Sequence, residues 1–254
     1  MTAKKQQTAA FIIIGNEILS GRTPDQNLNF LAVELNKLGI NFAEARFVCD
    51  DEEQIIGAVN ELRYKYDYVF TSGGIGPTHD DITALSIAKA FGVELYRDAK
   101  AVRLLEEHYE KTDKELNAAR LKMADLPEGS TLLNNPISAA PGFKIENVFV
   151  MAGVPAIMKA MVKAAEEHLN AGPQKKSHTI STYITEGDLA EPLANIQYRH
   201  PDIEIGSYPF IRGDKLGTSL VFRGLDEQQI NEATKLLRKF IAEHGAQIIQ
   251  DIDN

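Results

Sequence analysis

The stretch Tyr68-Val69-Phe70-Thr71-Ser72-Gly73-Gly74-Ile75-Gly76-Pro77-Thr78-His79-Asp80-Asp81 runs from an unbroken β-branched and aromatic segment into a glycine-rich turn. Tyr68 to Thr71 has the composition of a central strand covered on both faces. Leu85, Ala88 and Phe91 follow at helical spacing, and Gly92 closes that helix. The unit is strand, glycine loop, helix. Glycines there remove the Cβ atoms that would hold the backbone away from a ligand, and they permit positive φ. The N–H groups left exposed, with the helix dipole, make an anion cradle at the C-terminal edge of a sheet, where α/β proteins place ligands. A plain strand–helix turn would be satisfied by two glycines. Gly73, Gly74 and Gly76, with Thr78, His79 and two acids at one edge, point to a bound phosphate.

The same alternation extends outward along the chain. Phe11 to Ile14 reads as a first strand, and Leu28, Leu31, Ala32, Leu35 and Leu38 as a helix stopped by Gly39. Ile40 to Val48 reads as the second strand, with a helix from about Asp51 through Ile55, Val59 and Leu62. Residues 98–124 read as one or two exposed helices. Leu132-Leu133 and Phe143 to Met151 read as further strands, and Pro155 to Leu169 as a closing helix. Strands alternating with helices predict an α/β fold around a mostly parallel sheet. Ala171 to Ser177 combines Gly, Pro and charge without periodicity, so residues 1–172 are expected to form the main domain. Residues 177–254 form a small α+β module: a strand at Thr179 to Ile184, a helix, a strand pair across Arg212-Gly213-Asp214-Lys215, a long helix from Glu227, and a tail strand.

At 254 residues the chain has room for such a pair of units, and 44% hydrophobic residues suffice for a buried core. A formal charge of −9 repels a phosphate backbone, so nucleic acid is not an expected partner. Cys49 is the only cysteine, which suits a reducing compartment, and a cytoplasmic location is expected. The apolar run Ala9 to Ile14 is too short for a signal peptide or a membrane span, so no membrane association is expected.

Asp80 and Asp81 lie beside the expected phosphate. Two like charges next to a phosphate call for a cation, so the pair predicts a divalent metal ion, Mg²⁺ or Co²⁺. Helix capping is the structural alternative, since Asp suits an N-cap and a first turn. Asp50 and Asp51 end the second strand at the same sheet edge; Asp51 suits an N-cap and Asp50 the site. Glu17, in Gly15-Asn16-Glu17-Ile18-Leu19 after the first strand, should line the same crevice. In Thr23-Pro24-Asp25-Gln26-Asn27, a capping box explains Thr23 and Gln26. It leaves Asp25 and Asn27 as ligand-binding candidates. The scattered histidines and the lone cysteine offer no zinc spacing. The loop is neither a dinucleotide fingerprint, since His79 stands where a third glycine is needed, nor a P-loop.

These residues resemble the molybdopterin-binding (MoCF) superfamily, and within it the CinA-type branch. The resemblance rests on Gly15 to Leu19 with Asp25 and Asn27, Ser72 to Thr83, Asn134, Pro136 and Ser138 to Phe143, and Gly153-Val154-Pro155. Gly206-Ser207-Tyr208-Pro209 is similar to a motif that follows the KH-type region of CinA proteins. Residues 73–81 are especially similar to the N-terminal hydrolase-like domain of eukaryotic FAD synthases. The resemblance implies a three-layer α/β/α molybdopterin-binding-like domain with a KH-like module, a homo-oligomer, and metal-dependent pyrophosphatase activity on ADP-ribose or FAD. Asp81, Asp80 and Asp50 would be catalytic; Asp81, Asp80 and Glu17 would hold the metal. Gly73, Gly74, Gly76, Thr78, His79, Asn27, Asp25 and Ser138 would bind a nucleotide or pterin ligand. Ile75 stands where molybdenum-cofactor proteins carry Thr, which points away from molybdopterin itself. Neither CinA's nicotinamide-nucleotide deamidase activity nor FAD synthesis is expected, because the segments for them are not in this sequence. A carrier without turnover and a pterin adenylyltransferase are the alternatives, since cradle and carboxylates serve all three.

Overall fold

The computed structural model describes residues 6–253. They divide into two compact units, split between Gly172 and Pro173.

The first unit runs β1 (Thr8–Ile14), α1 (Asn16–Leu19), α2 (Asn27–Lys37), β2 (Asn41–Val48), α3 (Glu52–Lys65), β3 (Tyr68–Ser72) and α4 (Thr83–Phe91). It continues through β4 (Leu95–Arg97), α5 (Ala99–Tyr109), α6 (Ala118–Leu121), β5 (Asp125–Pro127), β6 (Thr131–Leu133), β7 (Gly142–Ile145), β8 (Val148–Met151) and α7 (Pro155–Ala165). The main sheet has the order β2-β1-β3-β8-β7-β6. Its first four strands are parallel, while β7 and β6 run antiparallel to their neighbours.

Strand β1 shows why the unit has three layers. Ala10, Ile12 and Ile14 enter one buried cluster with Ile55, Val59 and Leu62 of α3 and Ile87 of α4. Ala9, Phe11 and Ile13 enter the other, with Leu31 and Leu35 of α2 and Met158 and Met161 of α7. Successive side chains point to opposite faces of a strand, so a strand apolar at both parities needs helices on both faces. Phe70 stacks on Phe149 across β3 and β8 at a 5.0 Å centroid distance, an offset contact typical of buried aromatic pairs.

Two features depart from the sequence pattern. Phe143 to Met151 divides into a hairpin, because Glu146 turns at φ 47° and folds β7 back on β8. Residues 98–124 are helical only in part, and they are bracketed by an antiparallel ribbon of β4 with β5. Each of these strands has three residues, too short for alternation to mark it.

The second unit comprises β9 (Lys176–Thr182), α8 (Glu186–Arg199), β10 (Glu204–Arg212), β11 (Lys215–Gly224), α9 (Glu227–Glu243) and β12 (Ile248–Asp253). Its antiparallel sheet has the order β10-β11-β9-β12. Ile180, Leu220 and Phe222 pack beneath Leu189 and Ile196 of α8 and Ile230 and Leu237 of α9. Among the described residues no helix is long and apolar enough to cross a membrane.

Among the described residues, each unit carries a carboxylate held far below its ordinary range. Lys65, Tyr66 and Arg46 hold the Glu44 carboxyl down to about 2; Arg46 also bridges to Glu61 through its two terminal guanidinium nitrogens. In the second unit Arg238, and after it His178, hold the Asp251 carboxyl down to about 2. The His178 ring lies between Asp251 and Asp253, tying β12 to β9. A depressed carboxylate contributes stability that is complete above its unfolded pKa and is lost as pH falls through the folded one. Thermal unfolding should therefore show the melting temperature falling between about pH 5 and about pH 2. Glu44→Gln should lower the neutral-pH melt and flatten the acid slope of the first unit. An unchanged acid slope in that variant would reject the assignment.

Candidate functional site

Strands β1 and β3 are hydrogen-bonded neighbours, yet the chain leaves them toward opposite edges of the sheet. The crevice beyond their C-terminal ends is the switch point where open α/β sheets bind ligands. Gly73 sits there at φ 106°, its N–H donating to Met151 O at 3.1 Å. A Cβ on Gly73 would lie 2.0 Å from Ile14 O. Gly153, beyond β8, also approaches closely: a Cβ on it would lie 3.3 Å from Gly73 Cα. Gly74, at φ 66°, faces Thr83, whose Oγ1 would be 2.2 Å from an added Cβ. The ends of three strands thus meet where side chains are excluded, and backbone lines the crevice.

The loop from Gly73 to Ile82 is held from within. Thr83 N–H donates to Gly74 O at 3.0 Å and closes it. Asp81 Oδ2 accepts from Thr78 N–H at 2.8 Å and from Thr78 Oγ1 at 2.5 Å. Lys122 Nζ donates to the carbonyls of Thr78 and Asp81 at 2.7 and 2.8 Å. The Asp80 carboxyl is held below its usual range, first by the Thr78 hydroxyl and then by its own backbone N–H. That hydroxyl's one proton points to Asp81, so the amide is the better-founded cause. His79 is fully exposed, 3.9 Å from Asp80. The following helix starts only at Thr83, with Ile82 at its cap and no side-chain cap bond. The acidic pair therefore lies inside the loop, and Asp81 braces the turn rather than capping the helix.

Two cavities open on either side of this loop. The larger, about 520 Å³, is bounded by Gly73 to Pro77, Glu17, Asp81, Ser138 and Gly153 to Pro155. The smaller, about 240 Å³, lies against Gly74 to Gly76, α4, the β4–β5 ribbon and Lys122. The hydroxyls of Ser72 and Thr83, at the two ends of the loop, are buried and have no hydrogen-bond partner among the described residues.

The remaining candidates have structural partners. Asp50 Oδ2 accepts from Asn16 N–H at 2.9 Å and fixes the turn after β1. Asp51 caps α3 through Gln54 N–H. Asp25 accepts from the amides of Asn27 and Leu28 and so starts α2; Thr23 does not cap that helix, and it lines the larger cavity instead. Asn27 is buried, with Nδ2 donating to Gly153 O at 2.8 Å. Among the described residues no group of three or more His, Cys, Asp or Glu side chains comes together as a metal cage. Glu17 and Asp81 are the carboxylates that face the larger cavity, a number that suits a hard cation whose other ligands are phosphate and water.

Two residues of the site escape sequence reasoning. Asn135 is buried and organises the loop at Ser138: its Oδ1 accepts from the amides of Ile137 and Ser138, and its Nδ2 donates to Ser138 Oγ and Ala140 O. An Asn two residues before the turn it closes is a recognisable Asx pattern. Lys122 leaves no such signal, because it reaches the loop from 41 residues away.

Residues 10–170 match the family described as "Probable molybdopterin binding domain". The chain belongs to that family. Residues 174–248 match a second description, "FAD synthase, middle domain". A "Probable FAD synthase" of Caenorhabditis elegans is 31% identical over 264 residues, covering 94% of this chain and 51% of that protein. The chain thus spans about half the length of that relative. A protein of Archaeoglobus fulgidus is 34% identical over 91% of this chain and 97% of its own length. The crystal structure of CinA from Thermoplasma acidophilum is similar at 35% identity and a TM-score of 0.60, covering 64% of this chain and 98% of that one.

Lys122→Met removes both of its bonds to the loop while keeping an apolar stem. We expect hydrogen exchange over residues 76–83 to accelerate and stability to fall by about 1–2 kcal/mol. Unchanged exchange there would show that Lys122 does not hold the loop.

Proposed function

We propose that the first unit binds a nucleotide or pterin derivative with its pyrophosphate against the Gly73–Gly76 loop, and hydrolyses that anhydride with a divalent ion. The observation that carries this reading is the backbone-lined crevice at the strand ends, with Glu17 and Asp81 facing the same cavity of about 520 Å³. Loop amides, and the N-terminus of α7 that borders the cavity at Val154 and Pro155, suit an anion. Glu17 and Asp81 would hold the ion, which when bound would offset phosphate charge and acidify a water. The chain's own work is to bind and orient. Thr78 and Lys122 fix the backbone that meets the phosphates, and Asn135 fixes the opposing wall at Ser138. A water oxygen adds to one phosphorus, the bridging P–O bond breaks, and the leaving phosphate keeps the electron pair. ADP-ribose would give AMP and ribose 5-phosphate.

One observation favours a carrier without turnover. Asp81 Oδ2 already accepts two hydrogen bonds from Thr78, which is a sufficient structural reason for an acid there. Release of AMP from ADP-ribose and FAD, measured with Mg²⁺, with Co²⁺ and with chelator, separates the two. We expect metal-dependent turnover that Glu17→Gln and Asp81→Asn each lower by about 10²-fold or more, with Asp81→Asn melting close to the wild type because Asn still accepts from Thr78. Binding of ADP-ribose with no AMP released under any metal would leave the carrier in place of the hydrolase.

A further inference from the structure

The smaller cavity is separated from the larger by the glycine loop itself: Gly74, Ile75 and Gly76 line both. Asp81 lines both as well. The larger adds Glu17, Asn135 and Ser138 to apolar walls at Ala152, Val154 and Ile157. The smaller is walled by Ile82, Leu85, Leu95, Leu126 and Phe143. At about 240 Å³ it is below the ~300–1,000 Å³ that whole small ligands occupy. It takes a part of a ligand, and its walls favour an apolar, flat part. Leu85 is 39% exposed, a large apolar side chain turned outward on α4 beside the cavity. The polar groups at the same cavity are Asp81, bonded to Thr78, Asp125, paired with Arg97, Lys122, whose ammonium is committed to two loop carbonyls, and the exposed His79.

We propose that this cavity is the subsite for the heteroaromatic ring of the ligand, so that the ligand crosses the glycine loop with its ring on the α4 side and its phosphates on the Glu17 side. This rests on the phosphate-binding reading of the loop. The β4–β5 ribbon then has a function: Leu95 and Leu126 form the outer wall of a ring pocket. Substrates would be sorted by whether they carry a planar ring next to a phosphate, rather than by phosphate alone.

Calorimetric titration of the full chain with AMP and with ribose 5-phosphate tests this, because the two share a phosphorylated ribose and differ in the ring. Wild-type protein should bind AMP at least about tenfold more tightly, from burial of the ring against apolar walls. Leu85→Phe, which fills the cavity without charge, and Leu85→Glu, which places a charge in it, should both bring that ratio close to one. Leu85→Phe should leave ribose 5-phosphate affinity unchanged, and thermal melting reads whether either variant remains folded. A wild-type ratio near one, or a ratio that both folded variants keep, overturns the subsite while the phosphate site stands. Failure of the wild type to bind either compound overturns the phosphate site, and the subsite with it.

Discussion

The first unit is organised around one close approach. Gly73 directly follows the central strand β3, with its α-carbon wedged between the end of β1 and the residues that follow β8. A side chain there would meet Ile14 O at 2.0 Å, and the backbone φ of 106° is one that L side chains rarely adopt. Glycine lets the ends of three parallel strands come together, and only then do their loops share one crevice. The layers behind it make the approach possible. Strand β1 is buried at every residue from Ala9 to Ile14, so helices clamp it from both faces and leave its C-terminal end no freedom to move away.

What surrounds that point is chiefly backbone, and backbone must be held by something. Three side chains do it from three different segments. Asp81 binds Thr78 within the loop, Lys122 reaches in from the end of α6, and Asn135 fixes the loop after β6. Asn27 ties the start of α2 to Gly153. These polar groups are paired to backbone carbonyls and amides, the arrangement that lets a ligand-binding loop keep its shape without being buried. Asp25, Asp50 and Asp51 are spent on amides at helix starts and turns, Asp81 is bonded to Thr78 and also faces the larger cavity, and Glu17 faces that cavity.

Much of this was legible in the chain. The run Tyr68 to Thr71 followed by Gly73-Gly74-Ile75-Gly76 identifies strand and loop, because only a buried strand is that apolar and only a turn needs that many glycines. The order of most strands and helices follows from periodicity, and the aperiodic Gly, Pro and charged stretch from Ala171 to Ser177 marks the division between the two units. The resemblance to CinA-type proteins agrees with the family to which the chain belongs. Local chemistry also predicts Asp51 as a cap, since the residues it satisfies lie within one helical turn.

Tertiary structure decided the rest. Composition puts Asp25, Asp50, Asp80 and Asp81 on equal terms; which amides each carboxylate meets, and which cavity it faces, depends on the folded structure. The three-residue strands β4 and β5 are too short to show a period, and they exist because each pairs with the other. The ribbon they form, and the reach of Lys122 across 41 residues to the loop, create a second cavity that no local pattern encodes. Propensity and spacing act over a few residues and so determine elements and their order. Cavities and the pairing of charges arise between segments distant in sequence, where only the packed structure specifies the distances.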